Sequence, residues 1–496
     1  MYNLKETCKP RLTAPEKKRS DIVLELSDLI KDKISPEQFF SENYVTSGMN
    51  LLIEKAFATF SSTSAADNST IILSQSMGGG KTHNMIALGL LARHPEFRSQ
   101  VMNKDYDAGK IKVIGFTGRE SSAEYGIWGS LAEQLGKEEV LKHCYSPLKA
   151  PGLNDWINLL KGGPILILLD ELPPYLQQAM THEAGRGTLA DITTAALSNM
   201  LIAVSKEELS NVCVVLSDLN ATNYSEGSEL INKALEDLRK EAEKLTIRIE
   251  PVKTQGDEFY HILRTRLFES LPEESVIEEV SKNYAEAVSK AQEAGLTNES
   301  GQEAARKLRE SYPFHFSLRD LYGRFKENAN FQQTRGLIRL MRLVVNNLYS
   351  TGKAETSQLI HPYDLDLNDE NIFSEIKIIK PSLDEAIAHD IAGRGKSVAE
   401  RFDREHSTGE DAQDLLKLLL VSSLSSASNP ILGLREAEIY AMMARPGRDL
   451  SRLPEKIFKE IATETWYLHL GSEGKYFFKN TQNLKAKLSE YAKGYG

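Results

Sequence analysis

The sequence predicts an α/β protein in which a five-stranded parallel sheet with crossover helices is followed by a helical lid and a C-terminal winged helix. Three observations predict it. Five short apolar runs rich in β-branched residues alternate with helical periods between residues 70 and 251, the pattern of strands buried on both faces. A glycine-rich stretch, SMGGGKTH at 76–83, follows the first run and opens a helical period. Beyond residue 256 helical spacing takes over, until three helical stretches and two short strands about a Gly-containing turn close the chain.

With 496 residues the chain is too long for one ordinary core, so two or three compact units are expected. Sixty Lys and Arg stand against seventy Asp and Glu, a net charge of −10. That excludes a uniformly basic surface built to wrap nucleic acid, so any polyanion site must be local. The three cysteines, Cys8, Cys144 and Cys213, lie far apart, show no paired metal-ligand spacing and are too few to staple the fold. A reducing cytoplasm fits best. The N-terminus is polar from its first residues, and no apolar run approaches the roughly 18 residues of a membrane span.

Along the chain, 1–34 is a charged, partly mobile N-terminal segment with Pro10, Pro15 and one helix in DIVLELSDLI. Residues 35–255 form the α/β core. Ser35 caps its first helix with Pro36 at the first position and Gln38 as reciprocal capping partner, and Thr46 caps a second. The strands are TIILSQ at 70–75, IKVIGFT at 111–117, PILILLD at 164–170, VCVVLSD at 212–218 and LTIRIEP at 245–251. Residues 256–355 read as a helical lid, 356–404 as a linker rich in Asp, Asn and Pro, and 405–496 as a winged-helix-like domain.

The glycine-rich stretch has the composition of a phosphate-binding loop. Such a loop turns successive backbone N–H groups onto phosphate oxygens, and Gly78, Gly79 and Gly80 permit the positive φ angles and the close approach. Lys81 then places a charge on the β- and γ-phosphates of ATP. Thr82 offers its hydroxyl to Mg²⁺, and the helix N-terminus faces the anion. The usual eight-residue pattern opens on glycine, where this chain has Gln75; a glycine-rich strand-to-helix turn with a solvated lysine is the competing reading. Asp170 and Glu171 end a buried strand, where the first acid suits the Mg²⁺ shell and the second the attacking water. An acidic helix cap is the alternative for that pair. The fourth run offers Ser217 beside Asp218 as a sensor of the γ-phosphate, or simply as a turn former.

This arrangement resembles the additional-strand, catalytic-glutamate class of P-loop ATPases, which implies a strand order of 5-1-4-3-2 in the numbering of the five runs. Six segments make the likeness closer: FFSENYVTSGMNLLIEKA, MGGGKTHNMIAL, IWGSLAEQLG, GGPILILLDELPPYL, YPFHFSLRDL and FQQTRGLIRLMRLV, in this order. Together they resemble the "GGGKTH" ATPases, large prokaryotic AAA+-like P-loop NTPases encoded beside DNA methyltransferases and helicases in phage-defence islands and similar to the ATPase of BREX-type systems. The likeness runs from about residue 37 to 485 and makes Gln75 the family's variant. It implies that Arg335 is a lid arginine reaching over the nucleotide, with a lid ion pair as the alternative. It also implies that His83 belongs to the nucleotide motif, unless it faces solvent, and that Tyr44 and Thr46 wall the adenine, unless they pack a helix. An arginine acting in trans would be Arg239, Arg248 or Arg186.

The implied activity is Mg²⁺-dependent ATP hydrolysis powering remodelling or translocation in an anti-phage defence complex that acts on DNA. An ATP-binding switch or assembly scaffold with slow hydrolysis is the alternative; a small-molecule kinase is disfavoured by Glu171 and the sheet order. The expected partners are further copies of the chain and defence proteins of methyltransferase or helicase type. Members of that family generally continue past the winged helix, so by resemblance this chain is a short member or a truncated one.

From 441 to 496 ten Lys and Arg stand against six Asp and Glu. Arg445, Arg448, Arg452, Lys456 and Lys459 precede or occupy the third helix, and Lys475 and Lys479 lie on the wing, an arrangement suited to DNA phosphates. Glu455, Glu460 and Glu464 interrupt it, and protein docking is the alternative. Trp128, Trp156, Trp466 and His315 read as packing residues, and DLDLNDE as a solvated linker.

Overall fold

The computed structural model describes residues 2–11, 24–61, 69–74, 79–104, 106–119, 123–184, 187–217, 236, 240, 246–251, 258–325, 328, 331, 333–425, 432–484 and 487–488. The chain divides into two compact units: Ser20–Glu258, and Met1–Arg19 together with Phe259–Gly496.

In the first unit β1 (Thr70–Leu73), β2 (Lys112–Thr117), β3 (Ile165–Asp170), β4 (Val212–Ser217) and β5 (Thr246–Ile249) form one parallel sheet in the order β2-β3-β4-β1-β5. Read from the other edge this is 5-1-4-3-2, the order the resemblance implied. The apolar runs of β1 to β4 are continuous because each of these strands feeds two cores. Ile165, Ile167 and Leu169 of β3 and Val212, Val214 and Leu216 of β4 join Trp128, Trp156, Leu197 and Met200. The intervening Leu166, Leu168, Cys213 and Val215 join Leu52, Phe57, Met85 and Leu88. The two-residue period of a strand thus sorts its side chains between two layers of helices.

The edge strand β2 is closed by side chain as well as by packing. Gln134, on the helix Gly126–Leu135, accepts from the Gly115 N–H at 2.9 Å and donates to the Gly115 carbonyl at 2.8 Å, and the helix Leu26–Ile30 lies against the same strand. Such cover blunts an otherwise open edge. Both expected N-caps form. Ser35 accepts from the Gln38 N–H at 3.3 Å and Thr46 from the Met49 N–H at 3.1 Å. The Gln38 amide turns instead to Glu42, at 3.1 Å, so the reciprocal bond of the capping box is replaced by a side-chain pair one turn on.

The second unit departs from expectation at its start. Residues 2–11 are anchored there: Leu4 and Cys8 are buried in its core, Lys9–Pro10 pairs antiparallel with Phe268–Ser270, and the Tyr349 hydroxyl donates to the carbonyls of Leu4 and Cys8 at 2.8 and 2.9 Å. Phe268–Ser270 also interrupts, as a strand, the helical spacing expected beyond residue 256, ending the helix Glu258–Leu267. In the stretch expected as a lid, the longer helices after Phe268–Ser270 are Glu274–Glu293, Gly301–Ser311, Ser317–Phe325 and Gln333–Ser350. Residues 356–404, expected as a linker, are packed: Leu359, Ile360, Tyr363, Ile372 and Ile376 are buried, and helices Glu370–Ile379 and Val398–His406 form within the stretch. The aspartates of DLDLNDE are local acceptors rather than solvated charges, Asp364 accepting from the His361 N–H, Asp366 from that of Asn368 and Asp369 from those of Asn371 and Ile372. The helices Asp411–Ser422 and Glu436–Met443, a π-helical turn Leu453–Phe458 running into Lys459–Glu464, and the antiparallel pair β6 (Leu468–Leu470) and β7 (Tyr476–Phe478) complete it. His315 is buried against His361, as expected of a packing residue.

Glu400 is an acid-sensitive point of this unit. Burial alone would raise its pKa, yet its carboxylate accepts from Asn368 Nδ2, the N–H groups of Gly393, Gly395 and Ser397, and the Ser397 hydroxyl, at 2.8–3.1 Å, and these bonds hold it at about 2. A carboxylate whose folded pKa is depressed contributes stability above its unfolded value, about 4.3, and loses it as pH falls toward the folded value. Glu400→Gln should therefore lower the melting temperature near neutral pH. The gap from the parent protein should close as pH falls from about 4.5 toward 2, as read by thermal melts across that range.

Candidate functional site

The C-terminal ends of β1, β3 and β4 converge on one group of polar side chains. Gly80, with φ +89°, is the N-cap of the helix Lys81–Arg93 that follows β1, a conformation that favours glycine. Its carbonyl accepts both the backbone N–H and the side-chain Nδ2 of Asn84, at 3.0 and 2.9 Å. On the first turn of that helix, the Thr82 hydroxyl donates to Asp170 Oδ2 at 2.6 Å. Asp170, the last residue of β3, is 3% exposed. Its other oxygen, Oδ1, accepts the Glu171 N–H at 2.9 Å, and that N–H is shared with Ser217 Oγ at 3.0 Å.

Ser217 ends β4, the strand lying between β1 and β3, and is opposite Leu73 in register. The Asp170 carboxylate, the Glu171 backbone N–H and the hydroxyls of Thr82 and Ser217, which come from three separate stretches of sequence, therefore meet because β4 lies between β1 and β3 and their ends share one edge. Thr82 and Asp170 present two hard oxygen donors side by side, a set that fits Mg²⁺ rather than a softer metal.

Glu171 departs from ordinary backbone geometry. At φ +52° it is a left-handed non-glycine residue at the N-cap of the helix Leu172–Ala179, a conformation costing about 1–3 kcal/mol that persists only where its surroundings impose it. Here the bonds from its N–H to Asp170 and Ser217 impose it, together with the close approach of Gly118. A Cβ on Gly118 would stand 1.9 Å from the Glu171 carbonyl oxygen, so only glycine fits. The Glu171 side chain, one-third exposed, pairs through Oε2 with Arg119 Nε at 2.9 Å.

Gly118 and Arg119 were missed from the sequence. Their signal is the TGRE that follows β2, where a glycine and a cation sit at the end of the strand beside the acidic one; it becomes readable once the strand order is known. Asn84, buried and bonded to Gly80, was missed as well.

The remaining candidates fall in different places. Gly79 and Gly80 directly precede Lys81, which opens the helix and is half-buried. His83 lies on the same first turn with its ring 6.1 Å from that of Phe39. Thr46 is buried as a helix cap, its hydroxyl donating to the Pro251 carbonyl at 2.6 Å; this is the packing role rather than a wall residue, and Tyr44 beside it is half-buried. Arg248 is exposed on β5. Arg335 stands on the first turn of Gln333–Ser350, half-buried, in the other unit. Gly78, Arg186 and Arg239 lie outside the described residues.

The basic cluster near the C-terminus is smaller than its charge count. Arg448 is buried, its guanidinium held by Asp411 at 2.8 Å and by Asp414, and Arg445 lies 3.7 Å from the same Asp414. Lys479 sits over the ring of Phe477, at 5.0 Å, and Lys475 lies 3.6 Å from Glu473. Two arginines expected to face phosphate are thus engaged internally. Among the described residues no helix is long and apolar enough to cross a membrane.

A search of curated proteins found no sequence relative at a significant level. Among solved structures, a chain in a structure of Drosophila ORC bound to DNA aligns with this one at 10% identity and a TM-score of 0.33, covering 99% of this chain and 97% of the other. That likeness is too distant to bear on function. Family comparison is more informative: residues 17–111 and 119–254 match the DUF499 N-terminal domain and residues 254–430 the DUF499 second domain. These matches are consecutive and adjoin at residue 254, four residues from the division between the compact units, and by them the chain belongs to the DUF499 family.

Proposed function

We propose that this protein is an AAA+-like P-loop ATPase that hydrolyses ATP with Mg²⁺. The observation that carries the reading is the 2.6 Å bond from Thr82 to Asp170, which joins the glycine-rich turn to the acidic strand. In this reading the backbone N–H groups of the turn and the Lys81 ammonium bind the β- and γ-phosphates, and the N-terminus of Lys81–Arg93 adds its positive end. Thr82 and Asp170 would hold the Mg²⁺ ion, which when bound neutralises charge on the transferring phosphoryl group. Glu171 orients the attacking water and takes its proton; Ser217 and Asp170 fix the backbone from which Glu171 projects. Arg335, by resemblance, is the lid residue that reports the γ-phosphate.

The Arg119–Glu171 pair supports a second reading, an ATP-binding switch or assembly scaffold with slow hydrolysis, because a base engaged by a guanidinium is not free to take a proton. The magnitude favours the first reading. Arg119 is more than half exposed, and exposed pairs contribute about 0–1 kcal/mol, little enough for bound ATP and water to displace. The pair restrains turnover without forbidding it. The coupled task, remodelling or translocation on DNA within an oligomeric defence complex with methyltransferase- or helicase-type partners, rests on the family resemblance of the sequence motifs and on the remaining exposed cations of the C-terminal region.

Steady-state ATPase measurements with and without double-stranded DNA test this reading. Lys81→Ala should abolish nucleotide binding and turnover. Glu171→Gln should still bind ATP in calorimetry but lose turnover by about 10²–10⁴-fold. Turnover raised by DNA favours the motor; tight ATP binding with negligible turnover, indifferent to DNA, favours the switch. Undiminished hydrolysis in both variants would overturn the proposal. In a separate assay, Arg119→Ala should raise kcat by up to about fivefold, the rate equivalent of 1 kcal/mol; a fall in kcat would show instead that Arg119 assists the reaction.

A further inference from the structure

A second cluster of chemistry-bearing side chains lies away from the ends of β1, β3 and β4. His143 and Cys144 are neighbours in the single turn Lys142–Cys144, and Asp155 stands on the first turn of the helix Leu153–Leu160. One donor atom from each, an imidazole nitrogen, the thiol sulfur and a carboxylate oxygen, lies within 4.8 Å of the other two. We infer that His143, Cys144 and Asp155 form a binding site for a zinc-class divalent cation.

The carboxylate is held in place before any ion arrives. Asp155 Oδ2 accepts the Gly152 N–H at 2.8 Å, which fixes the group and leaves Oδ1 3.2 Å from His143 Nε2. Oriented ligands of this kind are what a metal site requires of its surroundings. Cys144 is buried and belongs to the apolar layer that includes Leu141 and Trp156, whereas His143 is half exposed. An ion would therefore rest on the sulfur from the solvent side, with a fourth position left to water. One thiolate, one imidazole and one carboxylate suit Zn²⁺, not the hard cation of the Thr82–Asp170 pair. Burial and the neighbouring Asp155 push the Cys144 thiol up, so binding releases its proton to solvent as the metal–sulfur bond forms. If the group were only a helix-capping ion pair, the thiol would take no part.

The test uses the full chain, stripped of metal by chelation under a reducing agent and titrated with Co²⁺. Cobalt at the oxygen ligands of the proposed nucleotide site gives no thiolate-to-metal charge-transfer band, so the two sites are read separately. A band that saturates at one equivalent and is displaced by Zn²⁺ is expected, retained in Cys8→Ser and lost in Cys144→Ser. His143→Ala and Asp155→Asn should weaken binding by more than the roughly tenfold that losing even an outer partner of a ligand costs. No band, or a band undiminished by Cys144→Ser, overturns the inference. Should Cys144→Ser fail to fold, His143→Ala at its exposed position decides alone, because unchanged cobalt affinity there overturns the site.

Discussion

A strand buried on both faces has no place for a polar side chain except at its end. In this protein β3 and β4 divide their residues between two apolar layers along their whole length, and the first polar groups to appear are Asp170 and Ser217, each the last residue of its strand. Because the sheet is parallel, those ends lie on one edge of the sheet, and Asp170 there meets Thr82 of the helix that follows β1. The bond between Thr82 and Asp170 is a consequence of that constraint. Charge placed anywhere earlier in β3 would be desolvated without a partner.

The same constraint explains where strain is stored. The chain must turn sharply out of a fully buried strand, and it does so at Glu171 in a left-handed conformation. The turn is held from three sides, by Asp170 within β3, by Ser217 from β4 and by the closeness of Gly118 beyond β2. A backbone so determined places its side chain reproducibly, while the exposed pair with Arg119 remains weak enough to exchange. Rigidity in the main chain and exchangeability in the side chain are the two properties the proposed hydrolysis needs of this residue.

The second unit shows how composition misleads where partners are unknown. Residues 356–404 carry the Asp, Asn and Pro of a linker, yet Asp369 caps a helix and Glu400 gathers donors from a loop, so these polar residues serve a packed fold. The positive charge near the C-terminus likewise includes Arg448, which Asp411 and Asp414 hold inside. An arginine counted as surface from the sequence is structural here, since only the folded chain brings the two aspartates, more than thirty positions away, to its guanidinium.

Local pattern was sufficient for the elements whose signals lie within a few residues. The five strands, the caps at Ser35 and Thr46 and the placement of Thr82, Asp170, Glu171 and Ser217 at strand or helix ends were readable, because apolar runs, capping and strand-end polarity are short-range properties; the strand order came from family resemblance and not from local pattern. What required the tertiary structure were the relations between distant stretches: the anchoring of residues 2–11, the engagement of Glu171 by Arg119, the need for glycine at 118, and the gathering of His143, Cys144 and Asp155. Their physical cause is common to all four. A contact between residues far apart in the chain depends on how elements pack, and packing leaves no periodic trace in the segment that supplies only one of the two partners.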